Sequence, residues 1–138
     1  MKKAALLLFA GFALLSCTTN VKDHLTDLNG YWEIEKVVMP DGSEKDYSVN
    51  TTIDYFEVKG TTGFRKKVMP QFDGTYRVND LSEKVNIVQK NDSTYIDYST
   101  PYAKWEENLM ELTDDKLVLK NNHDIIYHYK KPIPFTVK

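Results

Sequence analysis

Beyond residue 28 the chain does not settle into a helical period. Stretches of five to nine residues rich in Val, Ile, Thr, Tyr, Phe and Trp recur about every ten residues, separated by turn-forming clusters. The stretches are Tyr31–Met39, Thr51–Lys59, Phe64–Met69, Phe72–Val78, Lys84–Gln89, Thr94–Ser99, Lys104–Leu112, Lys116–Lys120 and Ile125–Lys131. Between them lie "PDGS", "GTTG", "KNDS", "TDD" and "NNHD", which carry turn chemistry. Pro132 stops the last stretch because it cannot donate to a sheet ladder. Eight or nine strands on tight turns make antiparallel neighbours. A meander of that size tends to close, since closure removes its exposed edges. The expected fold is all-β, an up-and-down antiparallel barrel, with a two-sheet β-sandwich as the alternative. No repeat of fixed period appears, which argues against a propeller or solenoid.

Alternation within the strands nominates inward side chains. They are Ile34, Phe56, Tyr76, Ile87, Ile96, Leu109, Leu119, Tyr127 and Tyr129. An eight-stranded barrel can enclose one small ligand or be filled by its own side chains. These nine residues are therefore either the wall of a ligand pocket or simply the core.

The N-terminal residues carry a different signal. Met1-Lys2-Lys3 is a short basic start, and "AALLLFAGFALL" is an apolar run of twelve. Spanning a bilayer as a helix takes roughly 20 residues, so the run has the length of a secretory leader's core. It ends in Leu15-Ser16-Cys17, followed by polar Thr18-Thr19-Asn20. This resembles the bacterial lipoprotein lipobox, with an apolar residue three before the cysteine and a small one directly before it. The resemblance implies cleavage after Ser16 and acylation of Cys17, the chain's single cysteine. One acyl chain anchors only marginally, so the two or three carried by such a residue make physical sense. An ordinary leader with an incidental cysteine and an uncleaved anchor are the other readings. The mature domain has no second cysteine and must fold without disulfides.

Composition excludes several functions. The formal charge is -2, and loss of Lys2 and Lys3 with the leader makes it more negative. Such a balance is poor for nucleic-acid binding or for polybasic attachment to anionic lipid. His24, His123 and His128 do not form a metal-binding pattern, since His123 and His128 would face apart on a strand. Glu106-Glu107 and Asp114-Asp115 read as solvated edges and turns, and "FRKKV", residues 64–68, as a solvated edge. With Cys17 acylated there is no candidate nucleophile, no phosphate loop and no nucleophile elbow. The expectation is a non-enzyme without cofactor or metal.

Four short pieces carry a family resemblance. "LNGYWEIEKV" is similar to the opening Gly-x-Trp strand of lipocalin-like families, here Gly30-Tyr31-Trp32. "FDGTYRV", "WEENLMELTDDKLVL" and "IIYHYKK" resemble the later strands of lipocalin-like lipoproteins of Bacteroidetes-type bacteria. The resemblance implies that Trp32 sits at the closed end of the barrel under a basic residue of the last strand, Lys130 or Lys131. It implies residues 1–16 as lipoprotein signal peptide, 17–28 as lipidated N-terminus and tether, and 29–138 as barrel. It further implies a bacterial cell-envelope protein held to the membrane by its N-terminal lipid. Thr18 rather than Asp after the cysteine points to the outer membrane. The implied partner is a small hydrophobic or amphipathic ligand; the alternative is a filled barrel contacting an envelope protein.

The anchor is directly testable. Cys17→Ala should move the protein out of the membrane fraction and leave a larger, unprocessed precursor. A variant that is still processed and still sediments with membranes would show the lipobox reading to be wrong.

Overall fold

The computed structural model describes residues 21–47 and 52–132. Its strands are β1 (Gly30–Val38), β2 (Glu44–Asp46), β3 (Ile53–Lys59), β4 (Thr62–Pro70), β5 (Tyr76–Lys90), β6 (Ser93–Ser99), β7 (Lys104–Leu112), β8 (Lys116–Asn121) and β9 (Ile126–Lys130). All pairings are antiparallel, and from β3 to β9 each strand lies beside the next. β9 returns to pair with β1 from Glu33↔Lys130 to Val38↔Ile126. Eight strands thus close an up-and-down barrel, and the sandwich alternative is excluded. Short β2 shares one edge of β1 with β3: it takes the Lys36–Val38 half, while β3 takes Gly30–Trp32.

Local chemistry explains the elements. On β6, Thr94, Ile96 and Tyr98 are buried while Ser93, Tyr95, Asp97 and Ser99 are half-exposed, a period of two. The β5–β6 hairpin turns on Asn91 and Asp92, both with positive φ, the conformation short polar side chains tolerate. The stretches Phe72–Val78 and Lys84–Gln89 are not two strands. β5 runs unbroken through the polar residues between them, and a register shift opposite Lys66–Val68 absorbs the irregularity. Phe72 lies instead in the preceding turn.

The tether reading of residues 17–28 needs correction over its last eight residues. Val21–Leu28 forms a 3₁₀ segment, kinked at His24, that packs against β3 and β7. Leu25 and Leu28 are three apart, so this helix type brings them to one face. Leu28 is fully buried and Leu25 packs beside it, closing one end of the barrel. Residues 17–20 lie outside the described residues. Asn29 clasps β3 with both amide atoms: Nδ2 donates to Val58 O at 3.1 Å, and Oδ1 accepts from Val58 N at 2.6 Å.

Trp32 completes this closed end. It is wholly buried, and its Nε1 donates to Leu28 O at 2.8 Å. Of the two candidate bases, Lys131 lies over the indole, with Nζ 3.8 Å from the ring centroid. Lys130 pairs with Glu33 at 3.7 Å. A cation over an indole contributes about 0.5 to 2 kcal/mol. Partial burial lowers the Lys131 pKa from its ordinary value, against the pull of Asp27 and Asp114. Gly30 makes room for this arrangement. Its φ is +114°, and a Cβ there would stand 3.2 Å from Lys131 Nζ.

Gly30→Ala should therefore cost about 1–3 kcal/mol, from left-handed strain and from Lys131 pushed off the indole. Urea unfolding should show a lower midpoint with an unchanged slope.

Candidate functional site

The two ends of the barrel differ. Toward the closed end Phe56, Ile87, Ile96, Leu109 and Leu119 pack with Leu28, Trp32, Leu112 and Leu117 in a solid core. Toward the other end the interior becomes polar. Arg65 on β4 pairs across the ladder with Glu83 on β5, and both point inward with Gly63 and Val85. Its Nε donates to Glu83 Oε2 at 2.6 Å, and Nη2 contacts the same carboxylate. Nη1 reaches Glu107 Oε1 on β7 at 3.5 Å. The guanidinium also lies 4.1 Å from the Tyr98 ring centroid and 5.9 Å from that of Phe56. Lys67, two residues on, pairs with buried Asp54 at 2.5 Å.

Burial governs the acid–base behaviour here. It would lower the Arg65 pKa, but Tyr98, Asp54 and Glu83 more than offset this and hold the guanidinium charged. It raises the Glu107 carboxyl above its ordinary value, against the opposing pull of Arg65. It also pushes the Tyr98 and Tyr129 hydroxyls well up, keeping both neutral.

Above this network lies a cavity of about 310 Å³. Its lining combines the charged Arg65, Lys67, Glu106 and Glu107, the apolar and aromatic Ile34, Trp105, Tyr127 and Tyr129, and the amides of Asn121 and Asn122. Trp105 stacks on Tyr98, with centroids 5.5 Å apart. A broader hollow of about 900 Å³ runs along Phe64, Lys84, Asn86 and Ser99, and shares Trp105, Glu106 and Asn122 with the cavity. The arrangement offers aromatic surface, amide groups and fixed charges of both signs. It can hold a small amphipathic molecule.

The structure divides the nine candidate pocket residues into three groups. Ile34, Tyr127 and Tyr129 line the cavity. Phe56, Ile87, Ile96, Leu109 and Leu119 are core. Tyr76 is a correction: its ring stacks on Tyr31 at 4.0 Å, and Tyr31 lies 4.8 Å from Tyr55 on the outer face. The stack on Tyr31 locates the ring, because the register shift between Lys66 and Val68 interrupts strict alternation between Val85 and Tyr76.

Two further readings are overturned. "FRKKV" is not simply a solvated edge, since Arg65 is buried. Nor are Glu106 and Glu107 alike. Glu106 stays near solvent with Lys90 at 3.0 Å, while Glu107 is buried. Alternation from Gly63 places Arg65 and Lys67 inward, a signal that their charge masks.

A model of the lipocalin-like domain family matches residues 28–119. No curated protein matches. The crystal structure of a lipocalin-like protein from Bacteroides uniformis ATCC 8492 is 15% identical, covering 77% of this chain and 99% of that one, with a TM-score of 0.48. That of an uncharacterized protein from Bacteroides eggerthii DSM 20697 is 17% identical, covering 76% and 99%, with a TM-score of 0.46.

Arg65→Met should destabilise the domain by about 3–5 kcal/mol at neutral pH, because two carboxylates lose their cation. Burial already raises the Glu107 carboxyl, and without the guanidinium that opposes it the group rises further above its unfolded value. The deficit should therefore narrow as pH falls through the raised Glu107 value, measured by thermal unfolding across pH.

Proposed function

The chain belongs to the lipocalin-like domain family, and from that premise we propose that it is a lipid-anchored binding protein of a bacterial envelope, attached through Cys17 to the outer membrane, that holds a small hydrophobic or amphipathic ligand in its barrel. The family consists in general of non-catalytic binding proteins. The observation that carries the reading is the 310 Å³ cavity above the Arg65 network, in a barrel whose other half is solid. Ligand pockets run from roughly 300 to 1,000 Å³, so a cavity at the low end favours a compact ligand over a long acyl chain.

The position of the 3₁₀ segment bears on orientation. Val21 follows Cys17 by four residues, a span of at most about 14 Å when extended. The segment is docked on the closed end, so acyl chains on Cys17 would hold that end toward the bilayer. The cavity would then open away from the lipid, toward solutes and other envelope components.

A second reading has its own support. Met69, Val78 and Leu81 expose apolar side chains on β4 and β5, as a protein contact would use. In this reading the barrel serves an envelope protein partner rather than a ligand.

Membrane-purified protein in nanodiscs should bind N-phenyl-1-naphthylamine, a neutral apolar fluorophore, at roughly micromolar Kd, near -8 kcal/mol. The probe should enhance in emission and quench Trp105. Ile34→Trp, which fills the cavity, should remove the signal. Equal emission from both proteins would sink the pocket reading and favour the partner surface.

A further inference from the structure

The charges around the cavity are unequally matched. Lys67 has Asp54, and Glu106 has Lys90. Arg65 serves two carboxylates. Glu83 takes Nε and Nη2, while Glu107 shares the guanidinium through Nη1 at 3.5 Å, beside the Tyr98 hydroxyl. Among the described residues Glu107 thus has only a shared cation within ion-pair reach. That residue is 7% exposed and lines the cavity. A buried carboxylate in this position either takes up a proton or draws in a cation.

The walls point the same way. Trp105, Tyr127 and Tyr129 line the cavity, and aromatic rings attract cations. The protein already uses this pairing inside the barrel, with Arg65 over Tyr98 and Lys131 over Trp32. The two cations that line the cavity itself, Arg65 and Lys67, are both already paired with carboxylates, so an anionic head there would meet Glu107 and Glu106 without a free counter-charge; Lys84 and Lys104 lie in the broader hollow instead. A purely apolar ligand would bury Glu107 without compensation.

We propose that the cavity selects an organic cation, an ammonium group on a compact apolar or aromatic body, with the ammonium against Glu107 and the body against Trp105 and Tyr127. This rests on the cavity being a binding site, and it adds the chemical class of the occupant.

Three matched probes separate the two ideas: 2-phenylethylammonium, neutral 2-phenylethanol and anionic 3-phenylpropionate. They share one ring and differ in charge. Calorimetric titration of the full membrane-purified protein should show the ammonium binding at least tenfold more tightly than the alcohol, with the carboxylate weakest. In Glu107→Gln the ammonium and the alcohol should bind alike, and Glu107→Asp should restore part of the preference. Thermal unfolding checks that each variant folds; if Glu107→Gln does not, the ranking on the unaltered protein decides. Equal affinities, a preference for the carboxylate, or an ammonium preference that survives Glu107→Gln would each overturn the assignment. If none of the three binds while the neutral fluorophore does, the cation assignment fails and the pocket stands. If the fluorophore also fails, both fall.

Discussion

A guanidinium inside a barrel must bring its counter-charges with it, and Arg65 brings two. Stripping a charged group of water without compensation costs several kcal/mol, so Glu83 and Glu107 must sit where they do once Arg65 faces inward. Their presence changes the barrel's upper half. Side chains that would otherwise meet across the interior are held apart by a network that needs space and polar neighbours. The result is a solid apolar core at one end and an aromatic-walled cavity at the other.

The closed end solves the opposite problem. Antiparallel strands leave a hole where their turns gather, and an open hole would wet the core. The 3₁₀ segment fills it with Leu25 and Leu28, Asn29 clasps β3, and Trp32 binds the segment to β1 through its indole N–H. Lys131 covers the ring from the far end of the chain, so the first and last described elements meet at one point. This seal leaves the other end of the interior as the accessible one.

Much of the fold was legible because alternation and turn chemistry are local. β6, β7 and their hairpins follow from period two and from turn residues alone. The failures also have local causes. Polar Asn79, Asp80 and Ser82 look like a turn, yet β5 continues past them across a register shift against β4, and Tyr76 beyond it stacks on Tyr31. The Val21–Leu28 segment looks like a linker because its own propensity is weak, and only the barrel end it fills gives it a reason to fold.

By itself the sequence determined most of the strands and their antiparallel order, and it favoured closure over a two-sheet sandwich; the place of Trp32 at one end came from the family resemblance. The strands and their order depend on which side chains alternate and where the chain can turn, and both are properties of neighbouring residues. Only the tertiary structure decided which charges are buried. Arg65 meets Glu83 from 18 positions away and Glu107 from 42, and no window along the chain contains all three. A charged residue in a strand looks solvated until its partners are seen to converge on it. That convergence separates the filled half of the barrel from the half with room for a ligand.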